Sequence, residues 1–188
     1  MAWPSGGPRT WVPGESLTAT LLNAQLRDAL NLLATYIDTT SGKPTPHIQV
    51  VRQTTIITKN NSAAYADLTG LAHAIAANET WVYLAGLWAT AASATPNMKF
   101  TLTGPASPTA VLFGLLGNAI PITQGFNTTF GSDAIYTKTV LNEVLLLLAI
   151  VRNGANAGTV QLQFAQNTAN ASNSSIQQDS FMLAARLL

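Results

Sequence analysis

The sequence predicts a mainly β protein: an antiparallel β-sandwich or jelly roll preceded by an extended arm and one N-terminal α-helix. Three observations carry this. From Ile48 onward, short runs alternate apolar and polar residues and are separated by Asn-, Gly- and Pro-rich turns. Only Thr10–Ile37 holds a long helical period. Charged residues are 9% of the 188-residue chain while hydrophobic residues are 47%, so the chain lacks the high charge and low hydrophobicity of a disordered segment. Charge is depleted at the cores of interfaces, so a surface this poor in charge is expected to be covered by copies of the chain or by partners.

The same numbers exclude several classes of function. A net charge of +1 leaves no electrostatic footprint for nucleic acid or an anionic membrane. Cysteine is absent, which removes disulfides, thiolate metal sites and cysteine nucleophiles. The longest apolar run, Val144 to Val151, is too short to span a bilayer. The opening MAWPSGGPRTW has no apolar core of signal-peptide length, which predicts synthesis in the cytoplasm without export.

Residues 1–15 are rich in Pro and Gly, which forbid a helix or an interior strand. This arm carries Trp3, Trp11 and Val12. Tryptophan buries a large rigid area and is a favoured interface anchor, so the arm is expected to dock on a partner. Residues 16–38 follow as a helix. Ser16 or Thr18 can cap its free backbone N–H groups, and Glu15 lies at the positive end of its dipole. Leu22, Leu26, Ala29, Leu33 and Tyr36 recur at the spacing of a coiled-coil seam. A helix this short is marginal alone, so the seam either packs on the following domain or is supported by oligomerisation there. Residues 39–47 form a breaker-rich linker, and the β domain is expected over 48–188.

Within that domain the pattern predicts strands at 49–58, 63–67, 73–77, 80–90, 98–103, 110–116, 134–138, 143–152, 158–166 and 180–187. Met98, Phe100 and Leu102 alternate with Lys99, Thr101 and Thr103, as a half-buried antiparallel strand should. The segment from Asp67 to Gly70 reads as a turn. Two runs, 80–90 and 143–152, are apolar on both faces. The outer face of a two-layer sandwich is ordinarily polar, so these runs need a further cover. Leu145, Leu147 and Val151 are the expected self-association residues, each contributing about 1.5–3 kcal/mol when buried. A homotrimer is favoured, with such strands lining its axis.

The longest stretch without strand periodicity is 117–133, where Phe126, Phe130 and nearby Tyr136 mark an expected recognition loop. Trp81, Tyr83 and Trp88 offer an alternative, a stacking platform for a host-surface glycan, set against burial within a strand. No catalytic constellation emerges. The eight acidic residues are scattered. His47 and His73 have no neighbouring ligands to share a metal. No phosphate-cradling, dinucleotide-binding or nucleophile-elbow motif is present. No catalytic residue, cofactor or metal is therefore expected.

One segment resembles a known family. Thr10-Trp11-Val12-Pro13-Gly14-Glu15-Ser16-Leu17-Thr18-Ala19, followed by Leu22-Asn23-Ala24-Gln25-Leu26-Arg27-Asp28, is similar to the opening of small structural proteins of tailed bacteriophages. The match covers about twenty residues. A weaker similarity to the associated β domain lies in Tyr65–Leu71, Ala77–Trp81, Gly158–Val160, Ala165-Gln166 and Asp179–Leu187. The ending also resembles, as an analogy of fold, trimeric jelly rolls of the tumour-necrosis-factor and complement-C1q type. The phage resemblance implies a non-enzymatic virion component on the capsid, tail or a fibre. Its N-terminal segment would attach to other virion proteins while the β domain is displayed outward.

Overall fold

Where β-branched, aromatic and leucine side chains recur at every second position, the chain forms strands that bury one face. In order these are β1 (Ile48–Arg52), β2 (Ile57–Lys59), β3 (Ala66–Ile75), β4 (Thr80–Ala91), β5 (Met98–Thr103), β6 (Ala110–Leu116), β7 (Ala134–Tyr136), β8 (Asn142–Arg152), β9 (Gly158–Gln166), β10 (Ser174–Ile176) and β11 (Phe181–Leu187). The structure is a computed structural model that describes residues 48–93, 96–116, 126–137 and 142–187. The arm with Trp3, Trp11 and Val12, the helical seam from Leu22 through Leu26, Ala29 and Leu33 to Tyr36, the 39–47 linker and residues 117–125 of the loop lie outside the described residues.

The strands make two antiparallel sheets packed as a sandwich. Across its width the seven-stranded sheet runs β1-β11-β4-β8-β6. β10 joins the same edge of β4 as β11 but further along it, at Ala89–Ala91, and β2 lies outside β10. The four-stranded sheet runs β3-β9-β5-β7. From β2 to β10 every strand lies in the sheet opposite to its predecessor's. Neighbours in sequence therefore meet across the core, and strands far apart in sequence pair within each sheet.

Large and small side chains interleave in the core. Across the β4–β8 pair, Trp81 lies opposite Val151, Tyr83 opposite Ala149, Ala85 opposite Leu147 and Leu87 opposite Leu145, all buried. The other sheet supplies Leu68, Leu71 and Ile75 from β3, Val160, Leu162 and Phe164 from β9, and Met98, Phe100 and Leu102 from β5. Large Trp and Tyr side chains beside Val and Ala suit the close packing of a sandwich core.

Three departures from the sequence expectation turn on polar side chains that satisfy the backbone. The single run expected over 49–58 breaks at Gln53, which is fully buried. Its Oε1 accepts from the Gly70 N–H at 2.9 Å and its Nε2 donates to the Thr55 carbonyl at 2.9 Å, turning the chain from β1 toward β2. The turn expected at Asp67–Gly70 is a bulge inside one long strand, with Leu68 and Leu71 both buried. Gln161 Nε2 satisfies the bulge by donating to the carbonyls of Leu68 at 2.8 Å and Leu71 at 3.3 Å. Gly70 is required there, because a Cβ would collide with the Arg52 carbonyl and the Gln53 backbone. The stretch between the predicted 158–166 and 180–187 strands contains β10, where Ser175 Oγ lies 2.8 Å from Thr58 Oγ1 and pairing on both sides satisfies the backbone.

Candidate functional site

The outer face of the seven-stranded sheet is apolar across five strands. Register places Val50, Leu183, Leu84, Leu148 and Gly114 in one cross-strand row. The next row holds Ile48, Ala185, Val82, Ile150 and Leu112, and the one on the other side Phe181, Gly86, Leu146 and Leu116. Trp88 and Val144 extend the face at one end. Both are exposed, Val144 to 71%. The glycines in these rows are roofed by aromatic rings. A Cβ at Gly86 would lie 2.6 Å from the Phe181 ring, and one at Gly114 2.8 Å from Phe126. Charge lies at the edges: Arg52, opposite Phe181 at the β1 end of the third row, pairs with Asp179 at 2.8 Å, and Arg152 stands at the far end of β8. At the spacings of a pleated sheet the three full rows cover roughly 500 Å².

The opposite outer face, on the four-stranded sheet, is polar. Asp67, Gln163 and Thr101 share a row, and Gln163 Nε2 donates to Asp67 Oδ1 at 2.6 Å. Nearby, the Asp133 carboxylate accepts from the Tyr65 hydroxyl at 2.6 Å and pairs with Lys99 Nζ at 3.3 Å. Lys99 Nζ also lies 4.7 Å from the centre of the Tyr65 ring. Burial, then the Asp133 hydrogen bond and its charge, push the Tyr65 hydroxyl well above its usual range, so it remains a donor.

The expected site residues divide between core and surface. Leu145, Leu147 and Val151 are not interface residues: they point into the sandwich and are at most 1% exposed. Alternation required one of the two apolar sets of β8 to face inward, and Trp81, Tyr83, Ala85 and Leu87 of β4 accommodate the odd-numbered set. The outward set is Val144, Leu146, Leu148 and Ile150, of which Leu148 is half-buried and the others exposed. Tyr136 is not part of a recognition loop, being buried in β7. Phe130 packs on the core and covers Gly104. Phe126 remains half exposed, on the β6 margin of the apolar face. A bridge holds it there, in which the N–H groups of Phe113 and Asn127 donate to each other's carbonyls at 2.9 and 2.8 Å. The aromatic platform is also corrected, since Trp81 and Tyr83 are fully buried and only Trp88 is exposed. The signal for the face was already present in β8, whose two apolar sets cannot both be core.

A buried polar cluster ties the two sheets together at the end where β3 turns into β4. Asn78 takes the left-handed conformation in that turn, at φ 61°. Glu79, 6% exposed, accepts at Oε2 from the Trp81 indole N–H and the Ala76 backbone N–H, both 2.9 Å away. Its Oε1 pairs with Arg186 Nη2 at 3.1 Å. Burial alone would raise the Glu79 carboxyl, but Trp81, Ala76, Arg186 and His73 outweigh it and hold the group below the usual range. His73 stands edge-on to Trp81, and its Nδ1 lies 3.1 Å from the Tyr83 hydroxyl. Its Nε2 is buried without a partner among the described residues. Burial lowers the His73 imidazole pKa against the smaller, opposing pull of Glu79, so it is neutral at pH 7. These groups meet as a structural joint. Among the described residues no three metal-ligating side chains cluster.

No family model and no curated protein matches the chain. Among solved structures it is similar to Eiger TNF from S. frugiperda, with a TM-score of 0.40 and 9% identity over 75% of this chain and 93% of that chain. The sandwich assignment stands on the strand register described above.

Proposed function

We propose that this protein is a non-enzymatic structural component of a tailed-bacteriophage virion. Its β domain self-associates as a homotrimer through the outer face of the seven-stranded sheet, and its N-terminal arm docks on the capsid or tail. The observation that carries the reading is the five-strand apolar face formed by Val50, Leu84, Leu148, Leu183 and their neighbouring rows. An exposed patch of this size, in a chain whose other sheet is polar outside, marks an interaction surface. A stable interface covers about 800 Å² per partner, which the rows approach with Trp88, Phe126 and Leu187 at their margin. A second copy is the occupant that fits best: the face carries almost no charge, so copies meet without repulsion or buried unpaired ions. In a ring of three, each face meets two neighbours, covering both its β1–β11 side and its β8–β6 side. The bacteriophage assignment is supported by the Thr10–Asp28 motif.

Sedimentation equilibrium of the full chain tests the stoichiometry. Three copies per particle are expected, and Leu146→Asp should yield a folded monomer. A wild-type monomer would refute the self-association reading. If removing residues 1–47 turned such a monomer into an oligomer, the N-terminal segment would be the cover instead. Removing residues 1–15 should prevent incorporation into virions while leaving the β domain folded, and normal incorporation would rule out the docking role.

A further inference from the structure

At the Thr80 end of the seven-stranded sheet, one row beyond Val82, Ile150 and Ala185, the strands β4, β8 and β11 frame an open pocket of about 520 Å³. Asn78, Glu79, Thr80, Arg152, Arg186 and Leu187 line it. Two arginines line it, in a chain with nine Lys and Arg in total. They are held in different ways. Arg186 is anchored from behind by Glu79, which is itself fixed by the Trp81 indole and the Ala76 amide. The Arg152 guanidinium has no hydrogen-bond or ion-pair partner among the described residues.

We propose that this pocket binds a monosaccharide-sized carboxylate, an acidic sugar of the uronate class. A guanidinium presents parallel N–H donors that match the two oxygens of a carboxylate, and Arg152 is free to do so. Two arginines less one glutamate leave the pocket a formal charge of +1, which a monoanion neutralises and a phosphate dianion overshoots. The Asn78 amide and the Thr80 hydroxyl supply the mixed donors and acceptors that sugar hydroxyls require, and Leu187 supplies an apolar wall for ring C–H groups. The volume is that of a small-ligand site. The pocket lies one row beyond Val82, Ile150 and Ala185 and shares Leu187 with the margin of the apolar face.

Isothermal titration of the full chain with glucuronate tests it, with glucose as the neutral control and inorganic phosphate as the anion control at matched ionic strength. Saturable glucuronate binding is expected, with glucose and phosphate each at least about tenfold weaker. Arg152→Gln should lower glucuronate affinity about tenfold or more without moving the melting temperature, since the side chain is exposed. Arg152→Lys, which keeps the charge and loses the fork, should fall between the two. Absence of saturable glucuronate binding overturns the proposal, as does unchanged affinity in Arg152→Gln. Glucose binding equally well would remove the role of the carboxylate, and phosphate binding equally well would reduce the pocket to a general anion site; either result overturns the assignment.

Discussion

On the outer face of the four-stranded sheet, Asp67 stands beside Gln163 and Gln163 beside Thr101; on the outer face of the seven-stranded sheet, Leu183 stands beside Leu84 and Leu84 beside Leu148. Both sheets are antiparallel, and both send alternate side chains into one shared core. They differ in what the remaining alternate positions carry. On the smaller sheet Gln163 Nε2 donates to Asp67 Oδ1, and the Thr101 hydroxyl, 1% exposed, donates to the Leu102 carbonyl. On the larger sheet the exposed rows gain nothing from water and would be stabilised by removal from it. The alternation of a strand therefore reports two environments at once. Where both are apolar, the second is a surface that burial would stabilise.

The largest test of this contrast lies within β8. In the monomeric Leu146→Asp background, Leu147→Ala should cost about 2–5 kcal/mol in urea unfolding because it opens a cavity. Val144→Ala, three residues away on the exposed set, should change stability by less than about 0.5 kcal/mol. Equal costs would mean that the face assignment is wrong. The next test compares the two outer faces. Leu146→Asp should weaken self-association roughly a hundredfold, about 2.8 kcal/mol, whereas Thr159→Asp on the polar sheet should leave the sedimentation coefficient unchanged.

Two glycines differ in what an added side chain would meet. Gly70→Ala drives a methyl group into the β1 backbone, which cannot step aside, and should destabilise by about 1–3 kcal/mol. Gly86→Ala meets only the Phe181 ring, which can rotate outward, and should cost less than about 1 kcal/mol. Thermal melts of both variants would show the order, and a reversed order would contradict the close approach of β3 to β1.

Acidification tests the joint between the sheets. The folded state holds the His73 pKa below the 6.5 of a free imidazole, so the unfolded chain takes up the proton first and stability declines as pH falls through that value. Glu79 is held below its ordinary 4.5. Its stabilisation is present above that value and is lost as pH falls through its lower folded-state pKa. Melting temperature against pH should therefore fall in two stages, and His73→Phe should remove the upper one. The smallest effect is expected at the edge of the apolar face. Arg52→Gln breaks an exposed ion pair worth at most about 1 kcal/mol, detectable as a small shift in the denaturation midpoint.

Most strand positions were legible because alternation and turn residues are local. The 98–103 and 110–116 runs coincide with β5 and β6, and the 158–166 run with β9. What failed depended on distant partners. β10 was hidden in a serine-rich stretch whose hydroxyls and backbone are satisfied only by β2 and β4. The break at Gln53 was hidden because its side chain is used by Gly70 and Thr55. The pocket joins residues from three strands that no spacing connects.

By itself the sequence determined that the chain after Ile48 is a β-sandwich and that one of its sheets has more apolar surface than one core can hold. Only the tertiary structure decided which surface that is. Hydrophobicity in β8 is the same on both faces, so local pattern leaves its phase open. The register with β4 closes that choice: Leu145, Leu147 and Val151 pair with the core-facing Leu87, Ala85 and Trp81 and so point inward, leaving Val144, Leu146, Leu148 and Ile150 outside.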